Sequence, residues 1–290
     1  MVFALPLTGL LNLQLARYRM EKQATGYFRL SVCNGILNIG FTLLFVAWLK
    51  WGAFGKLLGP MLCNTIVFII MIILFRKHLN IATSFDDFKR VFRFCLPLAF
   101  GATFSYFLNG FTTSYLETIG DSTEYGYYVV GASIGGYLMI FGQAIGDTFL
   151  PDLNETTVKK QWRRYVRFCL IVLGLTGFVT IVFVLFTPVI INLLTAGRYV
   201  ASTIYARIIA FSTITARMFY LINNYTITTN KPKLFLTTSI LGSILVVLLV
   251  PIIVERWQFI GGACMSVCTF VIFGLVNLLL IAMNRIGIIS

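Results

Sequence analysis

FCLPLAFGATFSYFLNGFTTSYLE (94–117) and YGYYVVGASIGGYLMIFGQAIGDTFL (125–150) are two apolar runs separated by a short acidic break at 118–124. Each is long enough for an α-helix to cross the hydrocarbon layer, which takes about 20 residues. Both carry polar side chains at helical spacing. On the first, Ser105, Asn109, Thr113 and Glu117 recur every four residues and share one face, with Tyr106 beside it. On the second, Ser133, Tyr137, Gln143 and Asp147 lie on roughly one side, while Gly131, Gly135, Gly142 and Gly146 fall in pairs four apart. An unpaired polar group in hydrocarbon costs several kcal/mol, so such stripes face other helices or water. The pair reads as part of the wall of a polar path through a helical membrane protein, with the glycines as packing and bending points.

The rest of the chain agrees. It has 290 residues, of which 58% are hydrophobic and only 11% charged, against about 25% charged in soluble domains. Apolar spans are expected at about 1–16, 24–49, 57–75, 95–117, 125–150, 167–192, 201–229, 233–254 and 259–283. The expected fold class is therefore an all-α, polytopic transmembrane helical bundle of about nine helices. The longest break, Arg76 to Arg93, contains FDDFKRVFRF, an amphipathic stretch expected on the membrane surface. Pro151 is expected to end its helix.

The net charge of +13 does not point to nucleic acid. Lys and Arg crowd alternate breaks: Arg17, Arg19, Lys22 and Arg29; Arg76, Lys77, Lys89, Arg90 and Arg93; Lys159, Lys160, Arg163, Arg164 and Arg167; Lys231 and Lys233; and Arg285 in the tail. By the positive-inside rule these breaks and the C-terminus are cytoplasmic and the N-terminus of this chain lies outside. The single histidine, His78, builds no metal site, and the six cysteines sit in or beside apolar spans as small packing residues. No metal and no cofactor are expected.

An internal repeat accounts for the outside N-terminus. LNLQLARYRMEKQATGYF (11–28) loosely matches RMFYLINNYTITTNKPKLF (217–235), and WGAFG (51–55) meets WQFIG (257–261), each of the latter opening a helix with glycines. The first three helices then resemble the last three. Residues 1–83 are expected to be the C-terminal half of a first transmembrane lobe and 84–290 a complete second lobe, an amphipathic segment plus six helices. On this reading three helices are missing upstream, as in a truncated chain or one with a late start codon.

Several stretches resemble one family: QATGYFRLSVCNGILNIGFTLLFVAWLKWGAFGKLLG (23–59), FCLPLAFG (94–101), ETIGDSTEYGYYVVGASI (117–134), TAGRYVASTIYARIIA (195–210), and NKPKLFLTTSI followed by FIGGACMSV. The chain is similar to polysaccharide (O-antigen, capsule, exopolysaccharide) flippases, the Wzx-like branch of the multidrug/oligosaccharidyl-lipid/polysaccharide exporter superfamily, lacking the first three helices. The resemblance implies two pseudo-symmetric lobes around a central, often cationic cavity lined by the first two helices of each lobe. In this sequence the second-lobe pair is 95–117 and 125–150; the first-lobe pair is absent. It further implies translocation of undecaprenyl-pyrophosphate-linked oligosaccharide repeat units across the bacterial inner membrane. The implied partners are that lipid-linked substrate, membrane lipids and other polysaccharide-assembly membrane proteins.

Individual residues carry this reading unequally. Ser105, Asn109, Thr113, Glu117, Ser133, Tyr137 and Gln143 are candidates for lining the substrate path; interhelical hydrogen bonding is the plainer alternative. Asp147 and Arg217 are candidates for charge coupling or phosphate contact. Arg217 lies 13 residues before Asn230, too far into its helix for easy snorkelling, so its charge needs an acid, carbonyls, a ligand phosphate, or a brace with Asn223 or Tyr220. Other readings stay open: a drug or cation exporter of the same superfamily, a membrane-embedded oligosaccharide polymerase, or a non-functional remnant. The polymerase reading lacks a large loop and paired carboxylates with a base or metal partner.

Overall fold

A computed structural model describes residues 4–75, 85–119, 122–229 and 231–285. Arg76, Lys77, His78 and Asn230 therefore lie outside the described residues, as do the side chains of Ser105, Asn109 and Arg285. The described chain is helical throughout and divides into two compact units, Met1–Phe85 and Asp86–Ser290.

The first unit contains α1 (Ala4–Met20), α2 (Ala24–Leu43) running into a π-helical turn at Leu44–Trp48, and α3 (Gly52–Phe75). Leu11, Cys63 and Val67 are its buried centre, with Leu15, Leu30, Leu37 and Phe41 around them. Close approach of α2 and α3 rests on missing side chains. A Cβ at Gly59 would lie 2.9 Å from Thr42 Cα, and one at Gly55 would lie 2.9 Å from the Phe45 carbonyl oxygen. The corner before α3 turns through left-handed backbone at Lys50 (φ 55°) and Gly52 (φ 54°).

The second unit opens with a span in three pieces, α4 (Phe85–Thr103), α5 (Ser105–Asn109) and α6 (Phe111–Ile119). α7 (Ser122–Val158) and α8 (Trp162–Thr195) follow unbroken, then α9 (Ser202–Ala210), α10 (Ser212–Thr228) and α11 (Pro232–Arg285). α11 covers 54 residues and turns at Gln258, whose backbone (φ 45°, ψ −129°) is far from helical. Gln258 follows Trp257 as Gly52 follows Trp51, so both quoted Trp corners carry a positive φ at the same place. Gly261, like Gly55, abuts a preceding carbonyl: its Cβ would lie 2.8 Å from the Ile253 oxygen. Among the described residues five helical stretches are long and apolar enough to cross a membrane: Ala24–Val46, Phe88–Ile119, Thr123–Val158, Trp162–Thr195 and Pro232–Asn284.

α10 is the helix around which the second unit closes, and polar side chains tie it on three sides. The Tyr165 hydroxyl of α8 donates to the Leu221 carbonyl at 2.8 Å. Asn224 and Thr228 donate to Asn154 Oδ1 of α7 at 2.9 and 3.1 Å. Thr215 donates to the Val267 carbonyl of α11 at 3.2 Å, and Thr226 to Asn277 Oδ1 at 3.1 Å. In a membrane each such bond contributes about 0.6 kcal/mol. Their main effect is to fix the rotation of α10 among its neighbours.

One local expectation is corrected. Pro151 does not end its helix: α7 continues to Val158, and the extension carries Asn154 to α10. Residues 85–94, the amphipathic stretch, lead without interruption into the rest of α4. Pro97 sits inside α4, where the neighbouring turn absorbs the lost hydrogen bond.

Candidate functional site

The glycine face of α7 decides where the site lies. A Cβ on Gly131 would meet the Ser202 carbonyl at 2.8 Å and one on Gly135 the Ala206 carbonyl at 2.9 Å, so the upper half of α7 rests directly on the α9 backbone. Two turns further, a Cβ on Gly142 would meet Thr213 Cγ2 at 2.7 Å. At Gly146 the same space holds the guanidinium of Arg217. A small side chain every fourth residue is what lets two helices in lipid approach this closely, and here the last of the four positions seats a cation.

Around that cation is a cavity of about 400 Å³ lined by Gln143, Asp147, Thr213, Arg217, Tyr220, Asn223 and Asn224 together with apolar residues such as Met139 and Leu153. The Arg217 guanidinium stands 5.1 Å from the centre of the Tyr220 ring, a cation–π arrangement. Asp147 is near enough to act on it electrostatically. The polar lining is not self-sufficient. Among the described residues, Arg217 Nε, Thr213 Oγ1 and Asn223 Oδ1 are buried without a hydrogen-bond partner, and all three belong to this cavity. Unmet donors and acceptors in an apolar bundle are tolerated where water or a polar ligand reaches them. The cavity is a polar chamber inside an otherwise greasy unit.

The candidate residues from the sequence separate into those this chamber gathers and those it does not. Gln143, Asp147 and Arg217 line it. Ser133 is exposed and donates to the Val129 carbonyl of its own helix at 2.8 Å, and Tyr137 is 59% exposed on the same helix; neither reaches the chamber. Ser105 and Asn109 sit on the five-residue α5, and Thr113 and Glu117 on α6. The pieces join at Phe104 and Gly110; across Gly110 the backbone stays right-handed, with the Gly110 N–H bonded to the Tyr106 carbonyl at 2.7 Å and the Ser114 N–H to the Gly110 carbonyl at 3.0 Å. Thr113 is half-buried within hydrogen-bonding reach of the Tyr128 hydroxyl, and Glu117 is exposed at the end of α6. Thr213 and Asn224 are absent from the sequence candidates, and Asn223 enters there only as a brace for Arg217. Their signal was present as a polar run on the Arg217 helix, but nothing in it said which face met α7. Among the described residues no group of His, Cys, Asp and Glu gathers as a metal site would require.

The family described as polysaccharide biosynthesis protein matches residues 1–207. The chain belongs to that family. Its fold is shared by solved transporters at low sequence identity. A mutant of the Vibrio cholerae MATE transporter VcmN is 15% identical with a TM-score of 0.71, over 92% of this chain and 64% of that one. The bent form of the same transporter is 14% identical with a TM-score of 0.64, over 90% and 64%. A MATE protein in a straight conformation is 14% identical with a TM-score of 0.66, over 90% and 63%. This family member thus spans 64% of the length of the Vibrio cholerae transporter. No match is found among curated proteins. The chain is thus an all-α, multi-pass membrane protein of the polysaccharide biosynthesis family with the fold of MATE transporters.

Proposed function

We propose that this protein moves undecaprenyl-pyrophosphate-linked oligosaccharide repeat units from the cytoplasmic to the outer leaflet of a bacterial inner membrane, for assembly of a surface polysaccharide. The observation that carries the reading is the Arg217 chamber: three buried polar atoms without partners, in a family of polysaccharide biosynthesis proteins. Sugars present hydroxyls that both donate and accept. Arg217 Nε offers a donor, Asn223 Oδ1 an acceptor and Thr213 Oγ1 either. Asp147 beside the guanidinium balances its charge when no ligand is present. Exchange of one half of the molecule against the other would open such a chamber to each leaflet in turn. The basic breaks favour a cytoplasmic C-terminus, and membrane proteins that synthesise or polymerise the repeat unit would be its working partners.

Complementation of a flippase-null strain by this chain, scored by the lipid-linked repeat units that accumulate, tests the reading. Expression is expected to clear the accumulated intermediate, and Arg217→Met to leave it in place. Accumulation equal to the null strain with the unaltered, membrane-inserted chain overturns the proposal. Resistance to cationic drugs without clearance would favour the exporter reading instead.

A further inference from the structure

α5 and α6 pack on α11, and the ring of Phe235 of α11 lies against Gly101 of α4. Between the N-terminal parts of α4 and α11 lies a crevice of about 990 Å³. One wall carries Lys89, Arg90 and Arg93 from α4; the other carries Lys231 and Lys233 from the start of α11. Among the described residues Asp86 is the one carboxylate lining it, against these five cations. Lys231 is further held by Asn284 from the far end of α11. The first turn of α11 begins at Pro232 and contains no acid, so its unpaired backbone N–H groups add their positive end to the same space. Phe94, Pro97 and Leu234 make the remaining surface apolar.

Charge of one sign on two facing walls is self-repelling, and an anion placed between them relieves it. We infer that this crevice is a binding site for the diphosphate headgroup of a lipid, held between the Lys89–Arg93 wall and the Lys231–Lys233 wall with its tail along Phe94, Pro97 and Leu234. Two linked phosphates offer charge to both walls at once. A single phosphodiester carries one charge and satisfies one wall. Helix N-terminal N–H groups and lysine or arginine side chains are the ordinary phosphate ligands of proteins. The crevice is separate from the Arg217 chamber, with which it shares no residue. This inference deepens the transport reading by naming the group engaged first at the basic end of the bundle. Its test reads binding and not movement, so either can fail alone.

The test is equilibrium binding of radiolabelled farnesyl diphosphate to the full chain in phosphatidylcholine nanodiscs, corrected with empty discs. Saturable binding is expected. Lys231→Gln with Lys233→Gln weakens it by about tenfold or more, the scale of losing charge-assisted hydrogen bonds. Arg90→Gln with Arg93→Gln does the same from the opposite wall, so the inference stays testable if one double variant fails to fold. Arg163→Gln with Arg164→Gln, in the basic stretch after α7, leaves the affinity unchanged. Adding phosphatidylglycerol to the discs is expected to leave it unchanged as well. Absence of saturable binding, wild-type affinity in the crevice variants, or displacement by phosphatidylglycerol at equal concentration would each overturn the assignment. The last result would make the crevice a general headgroup patch.

Discussion

The two spans quoted at the outset have similar composition and opposite construction. α7 runs for 37 residues without interruption, although it contains Pro151 and six glycines. The span before it breaks at Phe104 and again at Gly110 within 35 residues. What differs is the neighbour. Four of the six glycines of α7 are filled from outside by Ser202, Ala206, Thr213 and Arg217 of α9 and α10. α4 meets α11 at Gly101, against the Phe235 ring, but its large apolar side chains, Phe88, Val91, Phe92 and Phe100, are more than half exposed. Helix continuity here is a property of packing more than of local propensity.

The largest test of that contrast is Gly146→Leu. Its side chain would occupy the seat of Arg217, and overpacking of this kind costs about 1–3 kcal/mol. Thermal unfolding of the detergent-solubilised chain should show a clear drop in midpoint. Gly126→Leu, on the same helix with nothing within 4 Å, should leave the midpoint nearly unchanged. Equal losses at both positions would mean that glycine content, and not the contact, sustains α7.

Arg217→Lys comes next. It keeps the charge but loses the planar fork and its stacking on Tyr220, so clearance of lipid-linked intermediate should be impaired less than in Arg217→Met. Equal clearance by the lysine, methionine and unaltered chains would leave the chamber without a transport role. Hydrogen exchange is a gentler probe. Amides at 104–110 should exchange at least about tenfold faster than those at 131–146, since local opening follows packing.

The smallest expected effect concerns the corner in α11. Gln258 has a left-handed φ of 45°, where a β-carbon costs about 1–2 kcal/mol. Gln258→Gly should therefore stabilise the chain by about 1 kcal/mol, and Gly52→Ala at the matching corner should destabilise it by a similar amount. Effects of the same sign at both would separate the two corners.

The sequence carried the helical membrane character, the glycine periodicity and the importance of Arg217, because each is written in composition or in spacing along one helix. It located Gln143 and Asp147 for the same reason. It did not carry their meeting with Arg217, 70 residues later than Asp147, which depends on how α7 and α10 are rotated. The spacing from Ser105 to Glu117 predicts one face, but nothing in it signals the tighter turn at Phe104, where i→i−3 bonds replace the regular ladder. Asn154 was overlooked because Pro151 suggests a terminus, whereas α10 holds the helix together past it.

Along one strip of the contact between α7 and α9–α10, between Tyr128 and Asn154, α7 offers glycines at four positions. Gly131, Gly135, Gly142 and Gly146 present bare main chain, on which Ala206, Thr213 and Arg217 rest. Interlocked side chains behave as gear teeth: to slip past each other they must leave their rotamers. A smooth strip behaves as a bearing. Along that strip α7 can shift by small steps without any of its side chains leaving a rotamer; Tyr128 against Tyr205 toward one end, and Asn154 bonded to Asn224 and Thr228 at the other, set the limits of the motion.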